Sequence, residues 1–231
     1  MNSLERLVRI LDQFDDPPGV LTAEQLHDAL GYSRSTLYRY LKVLTDAGLI
    51  ASFHREGFAL GPRIIELNAL LMARDPLIVA SAPLMETLAL RFHGTSILCR
   101  RFRDKVLCVH HVAEDDGQGL AYRVGKAWPL LEGAPARVIL AHVGAPQLRR
   151  LHLGQEAAFA AAGFGEDLAA ARRLLRAIRE RGYDFDLCPS NPGSVAVAAP
   201  IVDGEASVVG SLSLLLPQSV LPADRVGAIA D

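Results

Sequence analysis

The polar residues with the most informative spacing lie between Ser33 and Lys42. Ser33, Arg34, Ser35, Thr36, Tyr38, Arg39 and Lys42 mix cations with hydroxyls. These are the groups that grip phosphates, and arginine also reads guanine edges in a major groove. Downstream, His54 and Arg55 open a His-Arg-Glu-Gly tip, placed where a hairpin would touch the same duplex backbone. A second group lies far along the chain. Gly133 and Ala134 precede Pro135, which opens a helix, so their amides point along its positive end and suit an oxygen-rich group. The alternative is an ordinary hydrated helix start. Trp128, Leu130, Leu131 and Val195 offer apolar walls around it, a combination typical of pockets, although Trp128 serves equally well as core. Glu132 works against an anion if it points inward, and would then favour a neutral phenol or an amine. On this reading an aromatic or short aliphatic carboxylate fits best.

Other chemistry is less well supported. Cys108, His110 and His111 invite a metal, but adjacent strand residues point to opposite faces and cannot share one ion. Cys99, Cys108 and Cys188 show no C-x-x-C spacing, which argues against a zinc cluster and fits a reducing cytoplasm. The chain has no G-x-S-x-G, P-loop, H-E-x-x-H or dinucleotide fingerprint, so neither an enzyme nor a bound cofactor is expected.

The elements that must position the first group run from Leu21 to Leu60. Thr22 and Gln25 have capping-box spacing, with Leu21 and Leu26 placed as a staple, so a helix starts at about Ala23 and stops at Gly31. Ser33 caps the next helix. Leu37, Tyr40, Leu41 and Leu44 form its apolar stripe and leave the polar residues on the opposite face. A helix ending near Gly48 and a basic-tipped hairpin complete a winged helix-turn-helix. Leu4, Leu7, Val8, Leu11 and Phe14 mark an earlier helix from Ser3 to Phe14, closed by the Asp15-Asp16-Pro17-Pro18-Gly19 break. Residues 1–60 hold six Lys and Arg against eight Asp and Glu, so non-specific coating of nucleic acid is disfavoured and any binding must come from placement of charge. Winged helices also dock proteins, and a ligand-sensing adaptor is the alternative; a docking face, however, is more often apolar.

The whole chain has 231 residues, 50% hydrophobic content and net charge -2, enough for one or two packed domains. No signal peptide and no apolar run of membrane-spanning length is present, so a soluble cytoplasmic protein is expected. After a winged domain over 1–61, Gly61-Pro62 opens a linker helix over 62–75 whose Ile64, Ile65, Leu67, Leu70 and Leu71 carry more apolar surface than a solvated helix needs. Pairing with a second copy would cover it. A domain over 76–231 begins with a helix to about His93 that Pro83 kinks or shifts. Strands are expected at 95–102, 106–112, 120–124, 183–187, 195–202 and 208–215, and helices at 135–142 and 168–181. Helices on one side of a largely antiparallel sheet make an α+β sensor-like domain. Residues 157–165 read as a mobile alanine- and glycine-rich loop. From Pro222 an amphipathic helix begins and stops at Asp231, which suggests a missing last helix.

Taken together, the chain resembles the IclR family of bacterial transcriptional regulators over nearly all its length. The resemblance rests on Ser33-Arg34-Ser35-Thr36 with Arg39, Leu41, Leu44 and Gly48-Leu49, and on Leu60-Gly61-Pro62-Arg63. It continues in Val124-Gly125, Pro129-Leu130, Ile139-Leu140-Ala141, Ile178-Arg179 with Gly182-Tyr183, and Ala198-Ala199-Pro200-Ile201. It implies a homodimer, often a dimer of dimers, that binds double-stranded operator DNA and carries a GAF-like C-terminal domain for a small organic effector. It puts a polar pocket residue at Asp186, able to accept hydrogen bonds from a ligand hydroxyl or amine, on a strand beside that of Ala196. The chain departs from the family pattern at three places. Leu131 to Arg137 replaces a histidine, small and hydroxyl residues and a Gly-Lys pair; Leu187-Cys188 replaces an acidic pair; and Ala196 stands where a cysteine is often found.

Overall fold

The computed structural model describes residues 2–15, 19–53, 56–113, 123–188, 193–205, 207–219 and 221. The chain divides into two compact units, Met1–Asp75 and Pro76–Asp231.

In the first unit, helix α1 (Ser3–Leu11) is closed at its start by a reciprocal cap between Asn2 and Glu5. It ends three residues earlier than the hydrophobic pattern suggests, because Asp12–Phe14 tightens into a 3-10 turn, a common helix ending. Helix α2 (Ala23–Leu30) carries the expected Thr22–Gln25 capping box and ends on Gly31 at φ 66°, a left-handed position that glycine adopts without the Cβ penalty. Helix α3 (Arg34–Asp46) starts at a Ser33 cap. The strands β1 (Ile50–Phe53) and β2 (Gly57–Leu60) form the antiparallel wing, to which Leu21 adds a bridge through two 2.8 Å bonds with Phe58. Helix α4 (Pro62–Arg74) follows. The core joins Ile10, Leu26, Tyr32, Leu37, Tyr40, Leu41, Leu44 and Ile50, so all three headpiece helices and the wing share one apolar centre.

The second unit opens with α5 (Pro76–Phe92), which runs through Pro83. Its sheet comprises β3 (Thr95–Phe102), β4 (Lys105–Ala113), β5 (Ala127–Pro129), β6 (Asp184–Leu187), β7 (Ser194–Val202) and β8 (Val208–Pro217). The spatial order is β5-β4-β3-β8-β7-β6 with every pairing antiparallel. Of the strand expected at 120–124, residues 120–122 lie outside those described, and Arg123 to Lys126 form a turn in which Gly125 donates to the Cys108 carbonyl and Lys126 to that of Arg123; among the described residues β5 pairs with β4 from Ala127 onward. Helices are also not confined to one side. Val195, Val197, Leu214 and Leu216 pack with Leu88 and Phe92 of α5, whereas Ala196, Ala198 and Leu215 pack against α6 (Ala134–Leu140) and α9 (Leu168–Arg181). Strand alternation thus gives each face its own helical cover.

Two further helices, α7 (Ala145–His152) and α8 (Glu156–Ala161), fill the stretch before α9. The expected mobile loop at 157–165 is instead most of α8 and the anchored turn after it: Phe159 and Phe164 are fully buried, their rings 5.3 Å apart, with the His152 ring tilted against Phe159 at 4.9 Å. Alanine there serves helix formation, and the two phenylalanines outweigh the glycines. The proposed helix from Pro222 lies outside the described residues. Among the described residues, no helix is long and apolar enough to cross a membrane.

Candidate nucleic-acid interface and ligand cup

Helix α3 has two distinct faces. Leu37, Tyr40, Leu41 and Leu44 are buried, while Ser33, Arg34, Ser35, Arg39 and Lys42 are exposed, Tyr38 is 56% exposed and Thr36 is half-buried. The Ser33 hydroxyl is engaged in capping: it accepts from the Thr36 amide at 3.4 Å and donates to the Thr36 hydroxyl at 2.9 Å. The exposed chemistry that remains is cationic and phenolic, with Ser35 at the first turn. Val43, 49% exposed, sits one turn beyond Arg39 and was missed from sequence; its signal is an apolar residue out of phase with the stripe. Tyr40 holds the helix in place from behind. Its hydroxyl lies 2.8 Å from the Ser3 hydroxyl, its ring meets Tyr32 edge-on at 6.1 Å, and the Arg39 guanidinium lies 5.4 Å over it. The Tyr32 hydroxyl in turn donates to the Arg6 carbonyl at 3.2 Å, so α1 braces the polar face from the core side. His54 and Arg55 lie outside the described residues.

In the second unit the two edge strands of the sheet approach each other. Six strands laid flat would separate β5 from β6 by roughly 24 Å. Yet Trp128 Nε1 of β5 and Asp186 Oδ2 of β6 lie 4.0 Å and 3.8 Å from the point where a side chain on Gly133 would begin. The sheet therefore curls into a cup, with Trp128 and Asp186 at its rim and the start of α6 between them. Gly133 has φ 80°, so it combines a left-handed backbone with the absence of a Cβ between those two side chains.

The register fixes what faces the concave side. Asp186 pairs with Ala196 and Asp184 with Ala198; both alanines and Ala134 are fully buried. Leu130 is buried, and Leu131 and Trp128 pack on the same core. Val195 does not join them. As the neighbour of Ala196 it points to the other face, where it packs with Leu88, Phe92, Tyr183 and Phe185, as the two-residue strand period requires.

The electrostatics at the rim differ from a simple anion site. Glu132 is exposed, which removes the repulsion it threatened, but Asp186 brings its own carboxylate to the start of a seven-residue helix. Burial pushes the Asp186 carboxyl upward, against the pull of Arg137 and the Ala134 amide; its Oδ1 is buried with no hydrogen-bond partner among the described residues. Arg137 is committed mainly elsewhere. It donates to Asp184 Oδ2 at 2.5 Å and to the Phe185 carbonyl at 3.1 Å, and reaches Asp186 only at 3.8 Å. Arg181 holds the other Asp184 oxygen at 2.6 Å. This Arg137–Asp184–Arg181 clamp joins α6, β6 and α9, and sequence reasoning missed it; the only signal was two aspartates at strand spacing beside a helix arginine.

Around Cys108, His110 and His111, a bulge leaves Val109 unpaired, with His110 opposite Leu98, Cys108 opposite Cys99 and His111 opposite Ile97. His111 therefore shares the concave side with Cys108. His110 points away, its pKa lowered chiefly by burial, with Glu86 of α5 pulling the other way. Among the described residues, no three His, Cys, Asp or Glu side chains are grouped to hold a metal.

Comparison with known proteins matches both units. Residues 3–52 match the model of the IclR helix-turn-helix domain, and residues 70–231 match that of the bacterial transcriptional regulator IclR C-terminal domain. The HTH-type transcriptional regulator XynR of Escherichia coli (strain K12) is 27% identical over 220 residues, covering 93% of this chain and 85% of XynR. An IclR transcriptional regulator from Alicyclobacillus acidocaldarius superposes with TM-score 0.78 at 24% identity, over 99% of this chain and 92% of that one. An IclR homologue from Microbacterium hydrocarbonoxydans, solved in complex with 4-hydroxybenzoate, gives TM-score 0.73 at 20% identity, over 99% and 94% of the two chains.

Proposed function

The chain belongs to the IclR family of bacterial transcriptional regulators, and from that membership we propose how its parts divide the work of a DNA-binding regulator controlled by a small organic molecule. Its relatives are regulators rather than enzymes. The winged domain over 1–61 meets operator DNA through Arg34, Ser35, Tyr38, Arg39 and Lys42, with Ser33 and Thr36 fixing the helix start and the wing residues His54 and Arg55 on the backbone. Val43 adds an apolar contact of the kind thymine methyls make.

The observation that carries this reading is the two-faced α3, an apolar stripe in the core and a cationic, phenolic face in solvent. One headpiece offers few cations, so a pair is required for tight specific binding. Helix α4, the linker over 62–75, supports pairing: none of its residues is buried, and Ile65, Leu67, Leu70 and Leu71 are exposed, Ile65 at 73%. We take the working form to be a homodimer or a dimer of dimers in the cytoplasm. The effector, partly apolar with a polar group, sits in the cup of the domain over 76–231, between Trp128, Leu130, Leu131, Gly133 and Ala134 on one side and Asp186 and Ala196 on the other. The complex of the Microbacterium homologue with 4-hydroxybenzoate makes aromatic acids the first compounds to try.

Two measurements test the proposal. Sedimentation at micromolar concentration is expected to give an even-order oligomer; monomer alone, with DNA binding intact, overturns the pairing. A thermal-shift screen of small aromatics and acids is expected to find a compound that raises stability by about 2.7 kcal/mol at 100 times its Kd and that changes operator affinity. A compound that stabilises the protein while leaving operator affinity unchanged would contradict the regulatory coupling.

A further inference from the structure

Cys99 of β3 and Cys108 of β4 stand directly opposite each other in the register, and both are fully buried in one apolar core. The backbone of Cys108 bonds away from β3: its amide donates to the Lys126 carbonyl and its carbonyl accepts from the Gly125 amide, each at 2.9 Å. In an antiparallel strand the amide and carbonyl of one residue point to the same side, so no pair of backbone bonds joins Cys108 to Cys99. The two cysteines therefore occupy the narrow kind of cross-strand site, where Cα atoms lie roughly 4.5 Å apart and side chains are closest. That spacing is at the short end of the range, about 4.4 to 6.8 Å, that a disulfide can bridge. Cys188 follows β6, three places from β3 in the strand order.

Both thiols are free and held protonated. Burial pushes Cys99 well above its ordinary value, with the neighbouring Cys108 adding to the rise and Ser211 opposing it, and burial pushes Cys108 up to about 12. A disulfide escapes this penalty, because a bond between two neutral sulfurs brings no charge into the core. A bridge at the short end of the range is also strained, which makes it easier to reduce again. On its other flank Cys99 stands opposite Ser211 of β8, whose hydroxyl donates to the Pro135 carbonyl of α6 at 3.0 Å. Drawing the Cys99 sulfur toward Cys108 takes it away from that hydroxyl, so the change is felt where α6 is tied to the sheet.

We propose that Cys99 and Cys108 are a redox pair, closed by oxidation into a reversible cross-strand disulfide that staples β3 to β4 and changes operator affinity. With hydrogen peroxide as the oxidant, one thiolate attacks a peroxide oxygen, and the departing hydroxide takes up the proton released by that thiol, leaving as water. The second thiol then displaces a second water from the sulfenic acid so formed. Two thiols and one peroxide give one disulfide and two waters. Since the closed fold suppresses both thiolates, the reaction runs through openings of the sheet edge, where β5 covers β4 over three residues. The pair answers sustained exposure to oxidant rather than a brief pulse. The effect on operator affinity rests on the reading of the second unit as the part that controls DNA binding.

The test holds the reduced full chain overnight in millimolar hydrogen peroxide, then quenches it in acid, alkylates it in urea and digests it with trypsin. Mass spectrometry is expected to find the Cys99 and Cys108 peptides linked to each other, Cys188 still alkylated, and both thiols recovered after dithiothreitol. Oxidation is expected to change affinity for a duplex selected from a random-sequence pool by about fivefold or more, reversibly with dithiothreitol. Cys99→Ala and Cys108→Ala, treated alike, should show neither the linked peptide nor that change. No linked Cys99–Cys108 peptide after the overnight exposure, or linkage to Cys188 in comparable yield, overturns the pair. A smaller change in affinity with the disulfide in place overturns the switch and leaves the DNA-binding reading intact; a reduced chain that selects no duplex sinks that reading and the switch with it.

Discussion

Replacing Arg137 by Met removes the arm of the clamp that ties α6 to β6. The side chain is one-fifth exposed and its partner Asp184 less than one-tenth, so the pair is screened far less than the Arg63–Glu66 pair, whose side chains are 49% and 65% exposed. Breaking a buried pair from one side costs about 3 to 5 kcal/mol because a charge is left uncompensated. Here Arg181 still holds the second Asp184 oxygen, which lowers the expected loss to about 2 to 3 kcal/mol. With a urea m-value of about 2 kcal/mol/M for a domain of this size, the unfolding midpoint should fall by about 1 to 1.5 M. The assay is direct, because Trp128 is the single tryptophan of the chain and its fluorescence reports the second unit alone. Arg63→Ala is the exposed control, expected within about 1 kcal/mol of the parent. A midpoint for Arg137→Met within about 0.3 M of the parent would refute the claim that this clamp fixes α6 on the sheet.

On α3, Arg39→Ala should weaken operator binding by about 1 to 3 kcal/mol if it reads a base, and should cost at most about 1 kcal/mol of stability through its lost stacking on Tyr40. Leu41→Ala should instead destabilise the headpiece by about 2 to 5 kcal/mol; equal operator affinity for Arg39→Ala and the parent at matched salt would show that the assigned face is wrong. Burial raises the Asp186 pKa, so the native state holds this proton more tightly than the unfolded state, and the stability linked to it is lost as pH rises from the ordinary value of 3.8 through the folded one. Asp186→Asn should accordingly raise the melting temperature at pH 7, with the gain shrinking toward pH 4 in calorimetry; a lower melting temperature at pH 7 would reverse the sign. Finally, iodoacetamide at pH 8 should leave Cys99 and Cys108 unlabelled in the native protein and label both in urea, as read by mass spectrometry, since burial keeps both thiols protonated.

The headpiece was legible in the sequence because its signals are local. The Thr22–Gln25 box, the Ser33 cap and the Leu37, Tyr40, Leu41, Leu44 stripe each span a few residues and recur in the structure as read. Strands β3, β4, β6, β7 and β8 were legible in the sequence; β5, the curvature and the two-sided cover were not, because those depend on which strands pair over long separations. For the same reason the approach of Trp128 and Asp186 across the cup was not legible: it exists only once the strands from β5 to β6 are in register. Val195 went to the wrong face because apolar type carries no information about strand phase until Ala196 is fixed opposite Asp186. Alanine and glycine content pointed to a mobile loop at 157–165, whereas α8 and the burial of Phe159 and Phe164 fix this segment.

The most direct test of the account is the salt dependence of the full chain binding to a duplex selected from a random-sequence pool. Two headpieces, each gripping phosphates with Arg34, Arg39 and Lys42, make about six contacts, so the slope of log K against log salt should be about -5. Enrichment of a defined sequence with that slope is the predicted result. A flat salt dependence with no sequence enriched would contradict the assignment of the α3 face to DNA.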